Sequence, residues 1–499
     1  MSADKKNVLL IFTDMQRADT IAALGNPVIK TPNLDRLVKE GTSFISAYTP
    51  SPVCVAARCS MQYGLYPTKT GLSGNGKMME DNNASIPALL GQQGYRTRAV
   101  GKCHFSPDRQ ALRGFDSRRS QEEVTSINDA DKDDYIKYLQ DNDYDSYEPH
   151  GARGEMYYIP QISSLPAEAH PCQWIANESI SFMDECQKEE KPFMLMSSFI
   201  HPHPPFAPPK PWHKLYRGPD MPLPYVPSQH ESLYTYVNKV QNRYKYRDQG
   251  IDQNLVRQIK AYYYATISFV DYQVGRMMEH LEKQGILDDT LILFSSDHGE
   301  FLGDYHCFGK RSMHDASSKI PMLARLPGHF EADTVCDEVT SLIDFLPTCL
   351  GVSGSQVKIE TDGVDLAIIA KGESDRDFVF SQWDDKQYGQ YMAVTKEWKY
   401  FYSAPDEREF LFNRKTECVE SRNQAALPTR RGTLKDMRQK LLSFLKEEGI
   451  EDAVDGDSKN NLIWRKYPQV DLSRFKDPDS GLLFQDNPAG PVDLPGYSD

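Results

Sequence analysis

A chain of 499 residues with 39% hydrophobic and 26% charged side chains is long enough for one large domain and a smaller one, with the balance of a water-soluble enzyme. The formal net charge of -14 argues against general binding to nucleic acid or an acidic membrane surface, because both reward a basic field, so an anionic ligand needs a local basic pocket. No apolar run approaches the roughly 20 residues that cross a bilayer, and nine scattered cysteines read as reduced thiols. Met1 to Lys6 passes straight into an apolar segment without a signal-peptide core, so the expectation is a cytoplasmic protein, or a periplasmic one if an export signal has been trimmed.

Val8 to Thr13 predicts a buried strand with Asp14 at its C-terminal end, where open α/β sheets gather their ligands. A helix is predicted over 32–40, and after Pro50-Ser51-Pro52 comes Cys54-Val55-Ala56-Ala57-Arg58, a cysteine four residues ahead of an arginine. The run Ser73-Gly74-Asn75-Gly76-Lys77 lacks the spacing and preceding strand of a phosphate loop and reads as a loop without chemistry. A helix over 85–93 and a strand over 96–100 lead into Gly101-Lys102-Cys103-His104. The stretch 106–170, charged, tyrosine-rich and aperiodic, reads as long loops over a site, as does the proline-rich 200–230. Between them a helix over 174–187 and a strand over 193–199 end in His201-Pro202-His203-Pro204-Pro205. A long helix over 252–284 precedes a strand over 290–296, which delivers Asp297-His298-Gly299-Glu300, with Lys310 thirteen residues after Asp297.

This alternation predicts an α/β fold, a parallel or mixed sheet with helices on both faces. Beyond 375 the aromatic-rich strands 378–383, 391–395, 398–402 and 409–412, with an amphipathic helix over 433–448, predict a small antiparallel sheet and its covering helix. The expected organisation is therefore a catalytic domain over 1–375 and a C-terminal α+β subdomain over 376–499. The last 35 residues, full of Pro, Gly and Asp, are expected on the surface or against a neighbouring subunit, which leaves a homo-oligomer open.

Carboxylates at strand ends can converge on one hard cation that also polarises an ester oxygen and a nucleophile, so Asp14, Asp297 and His298 are candidate metal ligands. Oxygen-dominated ligation points to Ca²⁺, and the imidazole leaves Mn²⁺ or Mg²⁺ open. With a reactive-looking Cys54 and several basic residues, the pattern is that of a metal-assisted hydrolase of anionic esters.

On these motifs, together with Pro321 to Pro327, Val339 to Leu346, Asp362-Gly363-Val364 and Glu409-Phe410-Leu411-Phe412, the chain resembles the type I sulfatases of the alkaline phosphatase superfamily over nearly its whole length. The resemblance implies an alkaline-phosphatase-like mixed sheet flanked by helices. It also implies that Cys54, the cysteine of C-x-[P/A]-x-R, is oxidised by a formylglycine-generating maturase, and that its hydrated aldehyde attacks sulfur with one hydroxyl and expels sulfate through the other. Ala56 stands where proline is commoner, which requires a maturase that tolerates alanine. Arg58 would hold the nucleophile oxygen and a metal-bound carboxylate, and the modified Cys54 would itself join the metal. Lys102 and Lys310 would contact sulfate oxygens, His104 would assist breakdown of the intermediate, and His201 would donate to the leaving oxygen; the tie of His203 to that pattern is weaker. Met15 and Gln16 follow Asp14 where the family usually places a second ligand, leaving one coordination position open.

The expected activity is hydrolysis of a small O-sulfate monoester, on a saccharide, to alcohol and inorganic sulfate. Leu302-Gly303-Asp304-Tyr305-His306 and Gly309-Lys310 resemble phosphonate monoester hydrolases, whereas Lys102 and His104 follow the sulfatase choice and Gly-Lys-x-His-Phe is shared with choline sulfatases, so a phosphonate or phosphate monoesterase and a choline-sulfatase-like enzyme stay as alternatives. A catalytically dead sulfatase-like binding protein is opposed by a competent residue at every chemical position.

Overall fold

The computed structural model describes residues 5–123, 132–145, 148–153, 156–245, 252–355, 357, 359–416, 419–456 and 462–470; the expectation for the C-terminal tail falls almost wholly outside them. Its strands are β1 (Asn7–Thr13), β2 (Thr42–Phe44), β3 (Ala47–Tyr48), β4 (Arg96–Gly101), β5 (Ser117–Ser120), β6 (Phe193–Ser198), β7 (Thr290–Ser296), β8 (Met322–Arg325), β9 (Thr334–Cys336), β10 (Thr340–Ser341), β11 (Val379–Trp383), β12 (Gln390–Val394), β13 (Trp398–Ser403), β14 (Arg408–Asn413) and the short pair β15 (Val454–Asp455) and β16 (Ile463–Trp464). Eight of them form one sheet in the order β5-β4-β6-β1-β7-β8-β2-β9. From β5 to β7 all neighbours run parallel, and β8 is antiparallel to both β7 and β2, so the sheet is mixed.

Alternation inside the apolar strands explains why both faces are covered. Val8, Leu10 and Phe12 of β1 enter one core together with Leu291 and Leu293 of β7, while Leu9, Ile11, Ile292 and Phe294 enter the core on the other face. Strands buried on both faces read as continuous apolar runs, which is what made β1, β6 and β7 visible in the sequence. The helix Pro171–Lys188 and the long helix Gln253–Lys283 cover the second face, and α1 (Pro32–Glu40) packs against the latter.

The stretch 106–170, read above as loops, contains edge strand β5 and the helix Asp134–Asp141. β5 has the sequence Ser-Arg-Arg-Ser, and an edge strand built of charges carries no apolar periodicity to detect.

The C-terminal sheet, β11-β12-β13-β14, divides its side chains by period two. Phe380, Tyr391, Tyr400 and Leu411 pack under the helix Arg431–Glu447 through Met437, Leu441, Leu442 and Leu445. Val379, Met392, Phe401, Phe410 and Phe412 belong to the main core instead. Two backbone bonds fasten its first strand to the loops before and after the cysteine helix: Gln382 N donates to Pro50 O at 3.0 Å and Asp384 N to Ser73 O at 2.9 Å. The described cysteines are all free thiols, and among the described residues no helix is long and apolar enough to cross a membrane.

Candidate active site

The site lies where β1 and β7 end. Thr13 pairs with Ser296, and Asp297 N donates to Thr13 O at 3.2 Å, so Asp14 and Asp297 leave neighbouring parallel strands at the same height. Met15 then turns the chain with φ 62, donating its amide to Asp297 Oδ1 at 3.2 Å while its carbonyl accepts from Tyr263 OH at 2.6 Å. In His298, Nδ1 faces its neighbour's carbonyl, Gly299 O, at 3.0 Å, and Nε2 is left facing the carboxylates.

The helix α2 (Cys54–Tyr63) begins at Cys54, is buried throughout and has no side-chain cap from Val53. Its first free amide, Val55 N, instead donates to Asn75 Oδ1 at 3.1 Å, so the loop read as chemically silent sets the start of the cysteine helix. Cys54 Sγ lies 3.2 Å from His298 Nε2 and 3.7 Å from Asp14 Oδ1, and Lys310 Nζ donates to it at 2.8 Å. One turn along α2, Arg58 donates to Asp297 Oδ2 at 2.9 Å, Asp14 Oδ2 at 3.3 Å, Lys102 O at 2.7 Å and Ser198 Oγ at 2.9 Å. One guanidinium therefore ties together the ends of β1, β4, β6 and β7.

Lys102 follows Gly101, whose φ of 95 and closeness to β6 admit no side chain: a Cβ there would stand 2.0 Å from Ser198 O. The ammonium of Lys102, fully buried, meets Asp14 Oδ2 at 2.6 Å and also bonds Glu123. Lys310 is held from behind by Gln241, whose amide donates to Lys310 O and whose Oε1 accepts from Lys310 N at 3.2 Å. His104, with φ 54, hands its backbone amide to both oxygens of Glu122 at 3.1 Å, and its ring Nδ1 is buried without a hydrogen-bond partner.

The two histidines of the proline-rich turn separate. His201 has Nδ1 3.5 Å from Cys172 Sγ and its ring 4.9 Å from that of His170. Burial, helped by Arg153, brings its pKa down to about 4. His203 has Nε2 3.6 Å from Glu123 and 3.5 Å from Tyr157 OH. Burial lowers it to about 3, with Glu123 and Asp14 pulling upward and Lys310 and Lys102 downward, so the groups it feels are those of the site. Of the residues singled out from sequence, Asp14, Cys54, Arg58, Lys102, Asp297, His298 and Lys310 converge in direct contact, His104 lies on the adjoining turn, and His201 contacts Cys172 and His170. Glu122, Glu123, Ser198, Gln241 and Asn75 were not foreseen; the acidic pair beside β5 was the only local signal.

Burial alone would raise Asp14, but Lys102, then His203, Lys310 and Arg58, hold it well below the usual carboxylate range. Asp297 is pushed up to about 6 by burial and then by the charge of Asp14. Burial and Asp14 press the Cys54 thiol upward, yet Lys310, Lys102 and His298 outweigh them and leave it well below an ordinary cysteine. Asp14, Cys54, Asp297 and His298 bring one donor atom each to within 4.8 Å of one another, all buried. Three anionic groups and an imidazole packed this closely away from water suit a divalent cation. Gln16 Oε1, in the loop after Asp14, is a further buried oxygen without a hydrogen-bond partner.

The model of the family described as sulfatase matches residues 6–355, and one described as N-sulphoglucosamine sulphohydrolase, C-terminal, matches residues 303–447. An arylsulfatase of Clostridium perfringens is 28% identical over 502 residues, covering 95% of this chain and 100% of its own. An N-acetylglucosamine-6-O-sulfatase of Bacteroides thetaiotaomicron is 24% identical, covering 74% of this chain and 71% of its own. Among solved structures, a phosphonate monoester hydrolase of Agrobacterium radiobacter superposes with a TM-score of 0.76 at 22% identity, covering 93% of this chain and 100% of that one, a likeness of fold. The mixed sheet with its separate C-terminal antiparallel sheet is the alkaline-phosphatase-like architecture. Since the first model spans well over half of it, the chain belongs to the sulfatase family, as a sulfuric ester hydrolase.

Proposed function

We propose that the protein hydrolyses the O-sulfate monoester of a carbohydrate, using Cys54 after its conversion to formylglycine and a divalent cation held by Asp14, Asp297, His298 and position 54. The observation that carries this reading is the pairing of Lys310, 2.8 Å from Cys54 Sγ, with Lys102 across Asp14, which leaves two ammonium groups flanking the nucleophile position. A sulfate ester has negative oxygens for both, and fixed charges in a dry site stabilise the transition state without reorganising. The cation, when bound, supplies charge neutralisation and polarises an ester oxygen. Arg58 keeps Asp14 and Asp297 oriented toward it, and the amide ends of α2 favour negative charge at position 54. His203, next to Glu123 and Tyr157, is the imidazole of the pocket that, once protonated, would hand a proton to the leaving oxygen and return to its neutral form.

The carbohydrate part rests on the name of the Bacteroides relative, and the conversion of Cys54 requires a maturase that accepts Ala56 as partner. A phosphonate monoesterase is the second reading, favoured by the fold likeness to the Agrobacterium enzyme. Co-expression with a maturase, mass spectrometry of the Cys54 peptide, and turnover of a panel of sulfated sugars beside an aryl phosphonate decide between them. Formylglycine with turnover of a sulfated sugar is the expected result; faster turnover of the phosphonate selects the second reading.

A further inference from the structure

Glu123 stands where an acid is least expected. It follows β5, and its carboxylate bonds the ammonium of Lys102, lies 3.6 Å from Arg153 Nη1 and 3.6 Å from His203 Nε2. Its neighbour Glu122 acts differently, since its oxygens accept from Cys103 N at 2.9 Å, His104 N at 3.1 Å and Arg118 Nη2 at 2.8 Å, which fixes the turn that carries Lys102. With Glu122 buried in that turn, Glu123 is delivered onto the cations of the pocket. Arg153 Nη2, buried, has no hydrogen-bond partner among the described residues, so within them this guanidinium is only half engaged.

A site for an anionic ester would be expected to keep carboxylates away from its ammonium groups, apart from those that hold the metal. Among the described residues Glu123 belongs to neither cluster of candidate metal donors, Asp14 with Cys54, Asp297 and His298, or His170 with Cys172 and His201. We propose that Glu123 is an internal occupant of the anion pocket, bound to Lys102 and Arg153 in the empty enzyme and displaced by the anionic group of the substrate. An ester that reaches Lys102 and Arg153 must break the two contacts of Glu123, and a weakly held anion that cannot offer as much in return is kept out. Glu123 thereby sets the affinity threshold of the site.

The inference rests on the reading that the site takes an anionic ester, and its test reads binding apart from turnover. The isosteric Glu123→Gln, with Glu123→Ala as a second variant, is compared with the wild-type holoenzyme in two measurements: the dissociation constant of inorganic sulfate by calorimetry, and KM and kcat for 4-nitrophenyl sulfate. Removing a competing internal anion should lower the sulfate dissociation constant and KM together, by about tenfold, with the change falling on KM rather than kcat. Unchanged or weaker sulfate binding in variants that melt within about 3 °C of wild type overturns the proposal and makes Glu123 a substrate-binding or structural group. Should wild type turn over neither the aryl sulfate nor any sulfated sugar of the panel, the sulfatase reading fails, and the calorimetry still decides the role of Glu123.

Discussion

Arg58 Nε donates to Asp297 Oδ2 at 2.9 Å across a sequence distance of 239 residues, and both side chains are buried. The same guanidinium reaches Asp14 and the backbone of Lys102, so one side chain couples the helix that begins at Cys54 to the strand ends that carry the proposed metal donors.

Arg58→Ala should therefore destabilise the protein by about 3–5 kcal/mol, the usual cost of leaving a buried carboxylate uncompensated. Urea unfolding of metal-free enzyme measures it, and a loss under about 1 kcal/mol would show that Asp14 and Asp297 find other partners.

Asp14→Ala and Asp297→Ala should each remove most bound divalent metal, read by elemental analysis, and lower turnover by roughly 10² or more, because each loss weakens charge neutralisation and nucleophile activation together. Chelation of the wild type should reproduce the loss and re-addition of metal reverse it. Stoichiometric metal in Asp297→Ala would place the ligands elsewhere.

The separation of the two histidines predicts opposite signatures. His203→Ala should depress hydrolysis of a sugar sulfate, with its poor leaving group, by roughly 10², and of a nitrophenyl sulfate much less. His201→Ala, which opens a gap beside His170 and Cys172, should act equally on both substrates and lower the melting temperature. The reverse pattern would return the proton donor to His201, the assignment suggested by the sequence.

Lys310 depends on Gln241 for the position of its backbone. Gln241→Ala should lower kcat/KM by roughly tenfold or more, since small displacements of a charged group at a reacting centre are costly. Gly309→Ala should do the same: its φ is 86, and an added Cβ would meet Gln241 Oε1 at 2.5 Å. Wild-type kinetics in both would mean that Lys310 is positioned by its side chain alone.

Asp271 of the long helix caps α1 from outside, accepting from Leu34 N at 2.7 Å and Asn33 N at 3.1 Å. Burial raises its pKa from 3.8 to about 6. Because the folded value lies above the unfolded one, this group's contribution is fully present below about pH 4 and is lost as pH rises through 6. The stability difference between wild type and Asp271→Asn should shift against wild type across that window, as followed by urea unfolding at several pH values. A difference that is flat with pH would mean Asp271 is ionised throughout.

The strand-end acids Asp14 and Asp297 could be placed from sequence because the apolar runs Val8 to Phe12 and Leu291 to Phe294 are buried strands and each acid is the first residue after its strand. Cys54 and Arg58 were legible through their spacing on one helix. The side chains that hold these groups were not. Gln241 acts on Lys310 from 69 residues away, and Asn75 acts on Val55 through a loop with no periodicity. The choice between His201 and His203 was equally closed to the sequence, since a turn two residues long sends one imidazole to Cys172 and the other to Glu123. β5 was hidden by its charges, and with it Glu122 and Glu123.

The C-terminal sheet touches the nucleophile region through two bonds that are main chain at both ends, Gln382 N to Pro50 O and Asp384 N to Ser73 O. Such an attachment is indifferent to side-chain identity. The residues around it are less so: Gln382 and Trp383 are buried and Asp384 has φ 56, so at this corner the exposed Asp385 is the position that can change while the wall stays fastened to the loops on either side of the cysteine helix.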